Sequence, residues 1–205
     1  MCNNYASHVP ASQIADAFSE TGFPLRFDGG VIPNIEPNDD IKIGDTAPIV
    51  TWDEGPLLTS MRWSWRVPQG RPVFNFRSDG REFGNTTRCL IPASAFYEFT
   101  DAEPGQKRKT KWSFSMTGEA WFWIAGIVKD SAWAMLTTEP GPDVSPYHDR
   151  QIVVLPPPAG LDWLRLSRPG VELLKPSPSG SLKAMKVFPQ APPERASASG
   201  DAYKS

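Results

Sequence analysis

The sequence predicts a strand-rich α+β fold, built from a mixed or barrel-like β-sheet with a few short helices. Short runs rich in Val, Ile, Phe and Trp recur along the chain, separated by Pro and Gly turns. Helical periodicity is confined to two short segments. The 205 residues include 22 Pro and 16 Gly, which suits a chain with many tight connections. At 40% hydrophobic residues, the chain is long and apolar enough to bury a substantial core as one domain.

Two segments have the pattern of amphipathic helices. In SQIADAFSET, Ser12 is the predicted N-cap. Apolar side chains then recur at helical spacing, at Ile14, Ala17 and Phe18. The second segment, GLDWLRLSRPG, is expected to end before Pro169. The predicted strands are, in order, IKIG, APIVTW, RPVFNFR, CLIPASAFYEF, KWSFSM, AWFWIAGIV, SAWAMLTT and RQIVVLP.

The chain is expected to form one domain over residues 1–189, followed by a disordered tail at 190–205. The tail reads QAPPERASASGDAYKS, and its Pro, Ala and Ser content is typical of disorder. The N-terminus lacks the pattern of a signal peptide, and no apolar run approaches the length of a membrane span. Two cysteines cannot build a disulfide framework. We therefore expect a cytoplasmic monomer with no membrane association.

Charge is unevenly distributed along the chain. Residues 27–54 carry a net charge of −6 and residues 61–90 a net charge of +4, although the whole chain is at −2. Every base in the second stretch is arginine, whose planar fork suits phosphate. The stretch is read either as a phosphate-binding surface or as the ordinary scatter of a solvated surface.

The position of Cys2 is unusual. Removal of Met1 would leave Cys2 with a thiol and a free α-amine on adjacent carbons, a pair that no other position offers. The alternative is coincidence. Sequence signals for a phosphate loop, HExxH, CxxC or GxSxG are missing, and two His and two Cys make a zinc site improbable, so no metal or cofactor is predicted.

Two other residues are candidates for proton transfer. Glu98 lies among aromatic residues in CLIPASAFYEFT, where desolvation would favour the protonated carboxyl; the alternative is a strand-end Glu that reaches solvent. His148 lies in SPYHDRQIVVLPP at the start of a predicted strand and has the pKa range of a neutral-pH proton carrier; the alternative is a surface-loop histidine.

A third group is suited to binding a sugar-phosphate chain. Alternation in RPVFNFR places Asn75 and Arg77 on one strand face, where they would grip a sugar-phosphate or form an exposed polar face. Just upstream, MRWSWRVP interleaves tryptophan with arginine, which is typical of a platform for unpaired bases. Trp63 is the candidate platform, although tryptophan is more often a core residue.

Together these segments resemble the SOS response-associated peptidase (SRAP) family. The resemblance spans residues 1–166 and consists of several motifs in the family's order. They are the N-terminal Met-Cys, PNIEP, MRWSWRVP, VFNFRSDG, RCLIPASAFYEF, AGI, LTTEPG and YHDRQIVVLP. It implies the SRAP fold and a protein of the DNA damage response that binds single-stranded DNA and bonds covalently to abasic sites.

The resemblance also implies roles for individual residues. The implied catalytic residues are Cys2, Asn75, Glu98 and His148, and the implied DNA-binding residues are Asn34, Pro37, Trp63, Arg77 and Arg150. Three positions depart from the family pattern: Asn3-Asn4 replaces Gly-Arg, Asn75–Asp79 replaces Asn-Ala-Arg-Ala-Glu, and Gln151 replaces Met. The loss of an arginine at position 4 would remove one phosphate contact.

The hypothesis that follows is an abasic-site processing enzyme with lyase-like chemistry and no cofactor. The amine of processed Cys2 would condense with the sugar aldehyde, and its thiol would close a five-membered thiazolidine. One alternative is a cysteine peptidase or amidohydrolase that uses Cys2 and removes Met1 itself. Another is a non-catalytic DNA-binding module in which the cysteine is incidental.

Overall fold

A computed structural model describes residues 2–68 and 70–189, and the tail expected at 190–205 lies outside these ranges. The fold is 42% strand and 13% helix, which confirms the strand-rich α+β class. The strands are β1 (Asn4–Ser7), β2 (Arg26–Phe27), β3 (Asn38–Lys42), β4 (Thr46–Trp52), β5 (Pro56–Trp63), β6 (Trp65–Arg66), β7 (Pro72–Val73), β8 (Asn75–Arg77), β9 (Thr87–Ala93), β10 (Ala95–Thr100), β11 (Thr110–Met116), β12 (Phe122–Lys129), β13 (Ala132–Thr138), β14 (Gln151–Ile152), β15 (Val154–Leu155) and β16 (Leu182–Phe188). The helices are α1 (Ala11–Ser19), α2 (Gly160–Arg165) and α3 (Gly170–Leu173), with 3-10 turns at Asp28–Gly30 and Pro157–Ala159.

The first sheet is antiparallel and has the strand order β16-β11-β10-β1-β3. In its centre, Tyr5 of β1 lies opposite Phe96 of β10. On the other side of β10, Glu98 lies opposite Trp112 of β11. Because β1 and β10 are neighbours, the chain just before β1 runs beside the strand that carries Glu98.

The second sheet closes on itself. Its strands follow the order β14-β13-β12-β9-β4-β5-β2, and β13 also pairs with β5, so β13, β12, β9, β4 and β5 form a ring. The closing contact is parallel and places Trp133 opposite Trp63. Strand β8 pairs in parallel with β13, with Asn75 opposite Met135. The mixed sheet predicted from the sequence therefore takes the form of a ring with strands added outside it.

Ser94 joins the two sheets. The sequence predicts one strand over CLIPASAFYEF, but the chain breaks at Ser94 into β9 of the ring and β10 of the first sheet. The Ser94 backbone N–H donates to the Ala6 carbonyl oxygen at 2.8 Å, which holds the corner against β1. This break sends Glu98 out of the ring and towards the N-terminus.

Both predicted helices are present, with different ends. Helix α1 begins at Ala11 after Pro10, so Ser12 lies inside the helix and the predicted N-cap is wrong. Helix α2 ends at Arg165, because its C-cap Leu166 has a left-handed φ of 49° that terminates the helix before Pro169 is reached. Within the described residues, no helix combines the length and the hydropathy needed to cross a bilayer.

Two buried clusters lie in the fold. One receives α1 and α2 and includes Phe18, Trp123 and Trp163. The other lies around the N-terminal segment and includes Cys2 and Trp63. The helices therefore pack against a different core from the one that surrounds Cys2.

Gly126 marks the tightest approach inside the ring. A β-carbon at this position would lie 2.6 Å from Ile91 Cδ1 and 2.9 Å from Cys89 Sγ. We expect Gly126→Ala to lower the free energy of unfolding by about 1–3 kcal/mol through overpacking, measured by urea denaturation. Gly84→Ala is the control, since nothing lies within 4 Å of its β-carbon; equal stability of the two variants would contradict the packing described here.

Candidate active site

Cys2 lies in the core rather than on the surface. It is 1% exposed, and its Sγ lies 3.3 Å from the Asn4 carbonyl oxygen. Burial, together with the nearby Glu98 carboxylate, raises the pKa of the Cys2 thiol to about 12. At neutral pH the thiol is therefore protonated in this state, and it needs a change in its surroundings to become a nucleophile.

The Cys2 peptide unit is held from both sides by two predicted site residues. The Cys2 backbone N–H lies beside the Glu98 carboxylate and lowers its pKa, against the larger effect of burial. Asn75 Nδ2 donates to the Cys2 carbonyl oxygen at 2.7 Å. The other amide atom, Asn75 Oδ1, is buried and has no hydrogen-bond partner among the described residues, so it offers an acceptor to a ligand.

Glu98 is a buried carboxyl that titrates in the neutral range. It is 1% exposed, and burial raises its pKa to about 7. Both protonation states are therefore well populated near neutral pH. A group with this property is able to take up and return protons during catalysis. The expectation that Glu98 is a desolvated carboxyl agrees with this geometry, and the solvent-exposed alternative does not.

His148 lies beside Glu98. Its Nε2 is 3.8 Å from Glu98 Oε2, and its Nδ1 is 3.0 Å from the Arg150 backbone nitrogen. The same Nδ1 is 2.8 Å from Asp149 Oδ1, and the two contacts require opposite tautomers. The backbone N–H is a fixed donor, whereas the Asp149 side chain is 88% exposed and free to turn into water. We therefore assign Nδ1 as the acceptor and place the proton on Nε2, facing Glu98.

Burial also sets the charge of His148. It lowers the pKa of the imidazole below its usual value, so the ring is neutral at pH 7. A neutral ring with its proton on Nε2 is able to donate that proton towards the site. Among the described residues, no group of three or more His, Cys, Asp and Glu side chains has the arrangement of a metal site.

The structure does not support Arg150 as a phosphate contact. Its side chain is only 10% exposed, and its Nη2 donates to Asp79 Oδ2 at 2.6 Å and to the Thr137 carbonyl oxygen at 2.9 Å. This hydrogen bond lowers the pKa of Asp79 and keeps that carboxyl charged. Arg150 instead ties the turn that carries His148 to the chain just after β8. Sequence reasoning missed Asp79, because nothing local shows which arginine it pairs with.

Trp63 is buried, so the prediction that it is a base-stacking platform is wrong. The side chain is 0% exposed. Its ring stacks on Trp133 with centroids 5.2 Å apart, and Tyr5 meets it edge-on at 5.5 Å. Its Nε1 donates to the Phe74 carbonyl oxygen at 2.9 Å. Because its ring and its Nε1 are both in contact with other parts of the protein, Trp63 instead stabilises the pairing of β5 with β13 that closes the second sheet.

The remaining predicted DNA-binding residues lie on the surface. Arg77 is exposed at the end of β8, two residues after Asn75. Asn34 and Pro37 are exposed in the segment before β3, and the Asn34 amide donates to Glu36. Asn34 lines an open groove of about 770 Å³, separate from Cys2 and bordered by acidic side chains. The structure thus brings Cys2, Asn75, Glu98 and His148 together and leaves Asn34 and Pro37 apart from them.

The arginine-rich stretch divides into two kinds of residue. Arg88 donates to backbone carbonyl oxygens of Phe83, Trp163 and Leu164, so it stabilises the fold. The others are exposed and make no ion pair within residues 2–68 and 70–189, namely Arg62, Arg66, Arg71, Arg77 and Arg81. Asn4, where the family has arginine, is buried and donates to Asp40 and to the Ile41 carbonyl oxygen. Position 4 therefore contributes to the sheet rather than to a surface.

The geometry agrees with a comparison to known families. The family model described as SOS response associated peptidase (SRAP) matches residues 1–191. This chain belongs to the SRAP family. The match includes every candidate residue of the site, and it confirms the resemblance found in the sequence. A search of curated proteins gave no match.

Solved structures give the same fold. A phage-related protein from Bordetella bronchiseptica is similar with a TM-score of 0.66 and 18% identity, over 91% of this chain and 94% of that chain. Another Bordetella bronchiseptica protein has a TM-score of 0.62 and 22% identity, over 91% and 99%. A Bacteroides thetaiotaomicron protein has a TM-score of 0.67 and 16% identity, over 90% and 91%. At these identities the likeness shows the fold of this SRAP chain alone.

The raised pKa of Glu98 makes a prediction about stability. Burial raises it to about 7, so the folded chain binds more protons than the unfolded chain between pH 4.3 (roughly the value of a free Glu) and 7. The associated stability is fully present below about pH 4 and is lost as the pH rises through 7. Between pH 5 and 8, we expect the wild type to lose about 2–3 kcal/mol relative to Glu98→Gln in urea unfolding.

Exposed Glu119 provides the matched control, since Glu119→Gln removes a carboxyl at the surface. This variant should follow the pH dependence of the wild type. Parallel curves for wild type and Glu98→Gln would show that Glu98 keeps an ordinary pKa, and the electrostatic description of the site would be wrong.

Proposed function

We propose that this SRAP protein captures abasic sites in single-stranded DNA through Cys2, after removal of Met1. The observation that carries the proposal is that the Cys2 nitrogen lies beside the buried Glu98 carboxylate, close enough to lower its pKa. Once Met1 is gone, that nitrogen becomes a free α-amine and the carboxylate is already beside it. A buried carboxyl with a pKa of about 7 is suited to accept the protons that an amine must lose when it attacks a carbonyl.

The chemistry balances without a cofactor. The Cys2 amine attacks the aldehyde of the ring-opened abasic sugar, a C–N bond forms, and one water leaves to give an imine. The thiol then adds to the imine carbon, an S–C bond forms, and the thiol proton ends on the nitrogen. The product is a thiazolidine. Since amine and thiol belong to one residue, ring closure is intramolecular and loses little entropy.

Glu98 and His148 divide the proton transfers. Glu98 takes a proton from the attacking amine and returns one to the departing hydroxyl. As the sugar ring opens, Glu98 takes the proton of the sugar hydroxyl, His148 Nε2 donates to the ring oxygen, and the proton on Glu98 passes to Nε2, so that the imidazole ends neutral. The two side chains are 3.8 Å apart at their nearest nitrogen and oxygen, so protons have a short path between them. Neither group has to carry a charge throughout the cycle.

The buried thiol fits the order of these steps. With its pKa raised to about 12, the Cys2 thiol does not compete with the amine for the aldehyde. In the protonated imine, the positively charged nitrogen is bonded to Cα of Cys2 and the sulfur to the adjacent Cβ. A positive charge this close to the sulfur favours the thiolate. The thiol therefore becomes reactive only after the amine has bound the sugar.

Binding of the DNA strand is assigned to the exposed Arg77 and to the buried amide oxygen of Asn75. Arg77 would take a phosphate next to the abasic site, and the unpartnered Asn75 Oδ1 would accept a hydrogen bond from a hydroxyl of the opened sugar. The alternative function, a peptidase that removes its own Met1, is also compatible with Glu98. The Cys2 nitrogen that Glu98 contacts is the leaving group of that cleavage, and Glu98 would protonate it.

Adduct formation tests the proposal. Protein without Met1 is incubated with single-stranded DNA that contains one abasic site, and the products are separated on a denaturing gel. We expect a heat-stable adduct for wild type and Cys89→Ala, and none for Cys2→Ala. Cys2→Ser should give only an imine that borohydride traps. A stable, unreduced adduct with serine would contradict the thiazolidine, and absence of any wild-type adduct would favour the hydrolase.

The role of Arg77 is tested by salt. Each phosphate contact to a single strand contributes about 0.7 to the slope of log K against log salt. Arg77→Gln should therefore reduce the slope by about 0.7 for an intact single strand, measured by fluorescence anisotropy. Arg26→Gln is the control, because the Arg26 guanidinium pairs with Asp53 at 2.9 Å on the surface. Equal slopes for the two variants would mean that Arg77 contacts no phosphate.

A further inference from the structure

We infer that residues 101–111, the turn between β10 and β11 together with the first two residues of β11, are a second phosphate-binding surface for the DNA strand, in addition to Arg77. The inference rests on the proposed function for the identity of the ligand, a single strand of DNA. It assigns binding to lysines that neither the sequence motifs nor the family pattern singled out. We call this segment the basic hairpin.

The basic hairpin is fixed next to the catalytic residues. Thr100 and Thr110 pair at its base, and Glu98 lies opposite Trp112 two pairs further along. The Trp112 ring packs against Tyr147 with centroids 4.6 Å apart. Tyr147 directly precedes His148. The basic hairpin is therefore connected to both segments that supply the proton-transfer groups, β10 with Glu98 and the turn with His148.

Its tip carries positive charge that the protein does not neutralise. Residues 101–111 contain four bases and two acids, and one of the acids, Glu103, pairs with Lys186 of β16. Lys107 and Lys109 are exposed and form no ion pair with any described residue. Arg108 is also exposed, and its guanidinium lies over the Phe188 ring at 4.6 Å. Two free ammonium groups thus flank an arginine that is already oriented by an aromatic ring.

The charge of the basic hairpin approaches the site through Lys109 rather than Lys111. The Lys111 ammonium lies 3.6 Å from the centre of the Tyr97 ring, on the other face of β10 from Glu98, and it interacts with Asp39 and Asp40. Lys109 is one of the groups that depress the pKa of His148, although burial is the main cause. Asp149, which is exposed beside His148, partly offsets this charge. The field of the basic hairpin therefore reaches the place where the sugar would react.

The charges on the two sides of β1 indicate the path of the DNA strand. On one side lie β10 and the basic hairpin, and on the other lies β3, whose exposed Asp39 and Asp40 would repel a phosphate chain. Lys42 pairs with Asp40, and Asp39 Oδ1 lies 2.7 Å from His8 Nε2, so both acids of that edge have partners within the protein. Lys107 and Lys109 have no ion-pair partner among the described residues, so the basic hairpin is the more favourable side for a DNA strand that places its abasic sugar over Cys2.

The test uses an intact single strand, with no abasic site, so that binding is measured apart from the reaction. The variant is Lys107→Gln/Lys109→Gln. The control, Lys175→Gln/Lys183→Gln, removes the same charge from exposed positions away from the hairpin, Lys183 lying opposite Ser115 at the far end of β11. If both lysines contact phosphates, the salt slope falls by about 1.4 in the variant and is unchanged in the control.

The outcomes separate this inference from the proposed function. A slope that falls equally in the variant and the control, or in neither, overturns the phosphate-binding role of the hairpin, even if the wild type cross-links to abasic DNA. A fall confined to the hairpin variant supports that role, even if wild-type protein without Met1 forms no adduct. The adduct assay therefore decides the chemistry, and the salt slope decides the surface.

Discussion

A buried carboxylate held against the nitrogen of Cys2 organises this protein. Taking Glu98 out of water costs free energy, and that cost appears as a pKa raised to about 7. The Cys2 N–H lies beside the carboxylate and lowers its pKa, and Asn75 Nδ2 donates to the carbonyl oxygen of the same residue. Cys2 is thereby held in the core, although residues near a terminus are normally mobile.

The rest of the fold keeps these groups in place. Strand β1 lies between β10 and β3, so the N-terminal segment is anchored on both edges. The corner at Ser94 carries the chain from the ring to β10 and aims Glu98 at Cys2. The ion pair between Arg150 and Asp79 then fastens the His148 turn beside them. Each support joins segments that are distant in sequence, which is why the site is rigid although its parts are short.

Much of this could be predicted from the sequence, and the exceptions have a common cause. Local patterns predicted both main helices and most strands but missed β2, β5, β6 and β16, and the desolvated character of Glu98 followed from its aromatic neighbours. Strand β1 was missed because it is short and half polar, and its buried Asn4 and Ser7 are understood only through their partners in the sheet. The burial of Trp63 depends on Trp133, and that of Arg150 on Asp79. Long-range pairs of this kind leave no local signal.

The central claim is that both reactive groups of one residue are used, and mass spectrometry tests it most directly. Protein lacking Met1 is reacted with abasic single-stranded DNA, denatured, alkylated at free thiols, and weighed intact. The account predicts an adduct that has lost one water and carries a single alkyl group, on Cys89, since the Cys2 sulfur is within the ring. An adduct with both thiols alkylated would contradict the thiazolidine, and recovery of only unreacted protein would contradict abasic-site capture itself.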